Sequence, residues 1–113
     1  MDITQLIVDA HRIAEDKGWW NKPRTLQGLL LLIHTEVSEA TEEFRHGALE
    51  TEIYYSTDEE GCQKPEGIPI ELADILIRIA DFCGGFGIPL ESALRQKMAY
   101  NKTRPYRHGG LLL

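Results

Sequence analysis

The chain has 113 residues, 42% hydrophobic and 27% charged, which suits one compact domain and excludes a fibrous or wholly disordered polypeptide. Its net charge of −6, with no cluster of Lys and Arg before the tail, excludes a general nucleic-acid-binding role, because phosphate backbones are held by grouped cations. The longest apolar run, Leu29 to Ile33, is far short of the ~20 residues that cross a bilayer, and Asp2, Asp9, Glu15 and Asp16 break any secretory pattern, so a cytoplasmic protein with no membrane contact is expected.

Four helices are predicted. The first runs from about Ile3 to Lys17, with Leu6, Ile7, Ala10, Ile13 and Ala14 at helical spacing and Gly18 as its stop. The second follows Pro23, with Thr25 as N-cap, and continues to His46 and Gly47. Its apolar stripe comprises Leu26, Leu29, Leu30, Ile33, Val37, Ala40 and Phe44. Between Ala48 and Gly67 the periodicity disappears and an exposed connection is expected, with strand character confined to Glu52–Tyr55. A third helix begins near Pro69 and runs to Cys83, before a Gly84-Gly85 stop. The fourth starts at Pro89 and ends near Lys102. Residues 103–113 form a basic tail closing on Leu111, Leu112 and Leu113. The expected architecture is a single all-α domain over residues 1–113, resembling a four-helix bundle. Cys62 and Cys83 fit neither a disulfide framework nor a zinc site and are read as reduced.

Glu36 and Glu39 lie three apart on helix two, and Glu71 and Asp74 lie three apart on helix three, so each pair shares a helix face. Such pairs commonly decorate solvated surface in an acidic chain. Here Glu36 falls on the flank of the apolar stripe. Helix three is apolar around nearly its whole circumference, with only Glu71, Asp74, Arg78 and Asp81 charged. A helix of that kind is central, and charges on it need a partner or a metal. Two acidic faces brought together would make an oxygen cage suited to Mg²⁺ or Mn²⁺, and an acidic protein needs such a cation to hold a polyphosphate. On helix four, Lys97 and Asn101 share a face with Leu90 and Leu94, the side expected to turn inward, with Arg104 beyond them. Snorkelling of Lys97 and capture of a phosphate chain are both open readings.

Thr35-Glu36-Val37-Ser38-Glu39, then Glu71-Leu72-Ala73-Asp74, then the run Lys97 to Arg104 resemble the ExxE, ExxD and K-x3-N-x2-R series of the all-α nucleoside triphosphate pyrophosphohydrolases. That superfamily includes MazG, dimeric dUTPases, dCTP pyrophosphatases and phosphoribosyl-ATP pyrophosphohydrolases. The resemblance covers residues 3 to 105. It implies a Mg²⁺ site on Glu36, Glu39, Glu71 and Asp74, with Lys97, Asn101 and Arg104 on the phosphates or sugar. The implied reaction splits a nucleoside triphosphate into monophosphate and pyrophosphate in nucleotide-pool housecleaning, with Glu39 as general base. Two features depart from the family: many MazG proteins carry a double glutamate where this chain has Thr35-Glu36, and the 48–67 connection is longer than in the tightest members.

Trp19 and Trp20 are read either as a stacking surface for a base or as core packing, and His11, His34, His46 and His108 as structural or surface residues. A homo-oligomer is expected, a dimer first and a tetramer second, because one chain leaves apolar helix surface uncovered. Two other readings compete. A di-iron bundle expects Glu-x-x-His pairs, whereas Glu36 and Glu71 are followed three residues later by Glu39 and Asp74. A non-catalytic helical binding module would tolerate loss of the carboxylates.

Overall fold

The computed structural model describes all residues from Met1 to Leu113. Helix α1 (Ile3–Asp16) opens on Asp2, whose carboxylate accepts the Gln5 backbone N–H at 2.7 Å, and α2 (Leu26–Arg45) opens on the Thr25 hydroxyl, which accepts from Gly28 at 3.1 Å. Both are N-caps that satisfy donors left free by the helix geometry. A hairpin, β1 (Tyr54–Thr57) and β2 (Gln63–Glu66), leads into α3 (Ile68–Phe86), which is followed by α4 (Leu90–Thr103). The single turn α5 (Arg107–Gly110) has positive φ at all its residues. The fold is therefore mostly helical with one small sheet, and no helix is long and apolar enough to cross a membrane.

Helix α3 is central, packing against α1 on one side and α2 on the other. Leu29, Phe82 and Cys83 are the buried centre of the core, flanked by Ile7, Ile33 and Ile79, with Ile88 and Leu90 bringing in the start of α4. Beyond that start α4 touches little except α1, and none of its residues is buried.

Two sequence expectations are corrected. The predicted stop at Gly84-Gly85 lies inside α3, which continues to Phe86 and closes on Gly87 in the left-handed conformation, φ 66°. The two glycines serve close packing instead. A Cβ on Gly84 would sit 2.7 Å from the His11 Cβ, and one on Gly85 would run into the Trp20 ring. The 48–67 segment, in turn, is not wholly irregular. Tyr54 pairs antiparallel with Glu66 and Thr57 with Gln63, around a turn in which the Asp58 carboxylate accepts the backbone N–H of Glu60 at 2.9 Å and of Cys62 at 2.8 Å. Its strands are almost wholly exposed and carry no inside–outside alternation, so local pattern could not reveal them. Tyr54 ties the hairpin to α2 by donating its hydroxyl to Glu43 at 2.9 Å.

The apolar stripe of α2 divides. Leu29 and Ile33 enter the core, whereas Leu26, Leu30, Val37 and Phe44 form an exposed row, joined by exposed Leu72 and Leu76 on α3. The chain exposes 8848 Å². A compact monomer of this mass would expose about 6,300 Å². The radius of gyration is 16.9 Å, against about 13 Å for a compact domain of this length.

Candidate carboxylate centre and adjoining cleft

Leu29, Ile33 and Glu36 follow one another along the α3-facing side of α2, so Glu36 takes a core-side position and is buried to 7% exposure. On α3, Glu71 and Asp74 stand one turn apart and meet it. One carboxylate oxygen from each of Glu36, Glu71 and Asp74 lies within 4.8 Å of the others. Glu39, one turn further along α2, is exposed and stands outside this trio, although its charge still acts on Glu71. Arg78, one turn past Asp74, donates its Nε to Glu36 Oε1 at 2.6 Å.

Burial pushes the Glu71 carboxyl up to about 7 from 4.5, helped by the charges of Asp74, Glu36 and Glu39 and by a hydrogen bond with Glu36. Asp74 is raised in the same direction, first by burial and then by Glu36, with Arg78 and Lys64 opposing. A carboxyl that holds its proton more tightly folded than unfolded stabilises the fold at low pH. That contribution falls as pH rises from the unfolded value of 4.5 toward the folded value of about 7. In the absence of divalent ions, the melting temperature is therefore expected to be lower at about pH 8 than at about pH 5.5. Added Mg²⁺ is expected to recover the loss at the higher pH, since the cation binds the deprotonated trio. Thermal melts at both pH values, with and without Mg²⁺, check this. A melting temperature that rises with pH and ignores Mg²⁺ would contradict the account.

Asp81, two turns beyond Asp74 on α3, is buried and gathers donors from α1 and the 17–25 connection. Its Oδ1 accepts the Trp20 indole N–H at 2.8 Å and lies 2.9 Å from His11 Nδ1, while its Oδ2 accepts from Arg24 at 3.3 Å. The Arg24 guanidinium also lies 5.0 Å over the Trp20 ring. A cleft of about 440 Å³ opens between α1 and α3, lined by Trp19, Arg24, Asp74, Ile77, Arg78 and Asp81 among others, so it adjoins the carboxylate trio. Trp20 and His11 are thus structural, and the exposed Trp19 is the ring that faces the cleft. Sequence reasoning missed Arg24, Arg78 and Asp81 as parts of this region. The charged stripe on α3 was the available signal for Arg78 and Asp81, but not for their partners.

The structure does not bring Lys97, Asn101 or Arg104 to the trio. No ion pair or hydrogen bond links them to Glu36, Glu71 or Asp74, and α4 does not pack along α2. Instead, Lys97 Nζ lies 5.0 Å and the Arg104 guanidinium 5.6 Å from the Tyr100 ring. Compared with protein-family models, curated proteins and solved structures, the chain matches none.

Proposed function

We propose that the chain is a Mg²⁺-dependent nucleoside triphosphate pyrophosphohydrolase of the MazG-like all-α type, cytoplasmic and working as a homo-oligomer. The observation that carries this reading is the meeting of Glu36, Glu71 and Asp74, which come from the two acidic motifs on different helices. The donor set is all oxygen and its members repel one another, which fits Mg²⁺ or Mn²⁺ better than zinc or copper. A metal bound there would neutralise phosphate charge and activate water. Glu39, exposed and outside the trio, is the carboxylate assigned to take the proton from the water that attacks the α-phosphorus. The bond to the bridging oxygen breaks, and nucleoside monophosphate and pyrophosphate leave. The adjoining cleft is of a size that admits a nucleoside, with Trp19 as a stacking surface.

Self-association is supported by the exposed row on α2 and α3 and by a surface about 2,500 Å² larger than a compact monomer needs. That excess is of the size an obligate interface removes from each partner. In such an assembly, closure of α4 onto a neighbouring copy's helices would bring Lys97, Asn101 and Arg104 to a phosphate chain. A dimer is the first expectation and a tetramer the second.

The test is pyrophosphate release from a panel of canonical and modified nucleoside triphosphates, with Mg²⁺ or with EDTA, run alongside sedimentation of the same sample. Release that requires Mg²⁺ from at least one nucleotide is expected, from a species larger than 12.8 kDa. A folded protein that releases nothing from any nucleotide would instead favour a non-catalytic helical module. A monomer in sedimentation would remove the assembly.

A further inference from the structure

We infer that Arg78 is a phosphate-binding residue of the carboxylate centre, an inference that rests on the metal-site reading above. Its Nε is anchored on buried Glu36 at 2.6 Å, whereas neither terminal nitrogen has a protein partner. The side chain is 39% exposed and forms part of the cleft wall beside Asp74. A guanidinium is a rigid planar fork, so anchoring Nε aims the remaining donors without further ordering. That geometry matches the oxygens of a phosphate.

Of the other cations lining the cleft, the Arg24 guanidinium is held by Asp81 and lies over Trp20, and Lys17 makes no ion pair with the trio. Lys64, whose charge also acts on Asp74, pairs with Glu66 at 3.8 Å, and Lys97 and Arg104 sit beside Tyr100 on α4. Arg78 is therefore the cation that is hydrogen-bonded to the trio and still has donors to offer. Were it only a structural partner for Glu36, any outward-facing terminal nitrogens would serve equally well. Arg78 lines the wall of a cleft that Asp74 also lines, and that is where a metal-bound polyphosphate would extend. The metal and Arg78 then act on one ligand from adjacent positions, the first through the carboxylates and the second directly.

The test measures binding rather than turnover. Calorimetric titration of the full chain with Mn²⁺ alone, and then with inorganic pyrophosphate at saturating Mn²⁺, is made on wild type, Arg78→Gln and Arg78→Lys. Arg78→Gln is expected to bind Mn²⁺ at least as tightly as wild type, because a cation beside the carboxylates is gone. Its affinity for pyrophosphate is expected to fall about tenfold or more. Arg78→Lys, which keeps the charge but cannot both hold Glu36 and offer a fork, is expected to fall in between. A purely structural role would lower the melting temperature of both variants without moving the pyrophosphate affinity of the folded protein. Wild-type Mn²⁺ binding with pyrophosphate affinity unchanged in Arg78→Gln would overturn the inference and leave the metal site standing. No Mn²⁺ binding by wild type would overturn both.

Discussion

Replacing Asp74 with asparagine is expected to abolish Mg²⁺-dependent pyrophosphate release while leaving the helices in place. Asp74 is one of three carboxylates whose oxygens lie within 4.8 Å, and its ionisation is opposed by burial and by Glu36. An amide of the same shape removes one negative charge from a crowded cluster, so the fold is expected to be unharmed or slightly stabilised. The metal, by contrast, loses a charged ligand. A metal's charge stabilisation is worth several kcal/mol in the transition state, so the rate is expected to fall by about a thousandfold or more. Circular dichroism and thermal melting establish the fold, and a pyrophosphate assay over a range of Mg²⁺ concentrations reads the loss. Glu59→Gln, in the exposed hairpin turn, serves as the charge-matched control and is expected to keep full activity. Asp74→Asn retaining a rate within about tenfold of wild type would remove Asp74 from the centre.

Asp81→Ala carries the largest expected effect on stability. One buried carboxylate holds the Trp20 indole, His11 and Arg24, which belong to α1 and to the connection between α1 and α2. Truncation leaves those donors facing a small apolar cavity, with the Arg24 charge uncompensated at 15% exposure. Removing one partner of a buried charged pair costs about 3–5 kcal/mol. For a chain of this length that corresponds to a fall of roughly 12–20 °C in melting temperature, read at fixed protein concentration because assembly also contributes. Asp81→Asn keeps one acceptor oxygen and is expected to lose less. A change of Trp fluorescence should accompany unfolding of the connection, since Trp20 also packs edge-on against His11 at 5.0 Å and Phe86 at 5.9 Å. A melting temperature within about 2 °C of wild type for Asp81→Ala would mean that the network holds nothing together.

The sequence by itself determined the four long helices to within a few residues at their ends, that α3 is the central one, and that Glu36 lies toward a neighbouring helix. These follow from local rules, since an α-helix closes its hydrogen bonds four residues away and its apolar spacing shows which face is covered. The charged stripe of Glu71, Asp74, Arg78 and Asp81 on an otherwise apolar helix likewise showed that those residues need partners. Only the tertiary structure decided which partners they have. Arg78 takes Glu36, Asp81 takes His11, Trp20 and Arg24, and Glu71 and Asp74 meet Glu36, while Glu39 stays outside. Gly84 and Gly85 read locally as a helix stop, yet α3 passes through them because His11 and Trp20 fill the space where side chains would stand. The hairpin left no alternating pattern because its strands pair with each other and cover almost nothing. The division of the α2 stripe into a core row and an exposed row likewise depends on the angle at which α3 lies against it, and an interhelical angle is set by side chains distant in sequence.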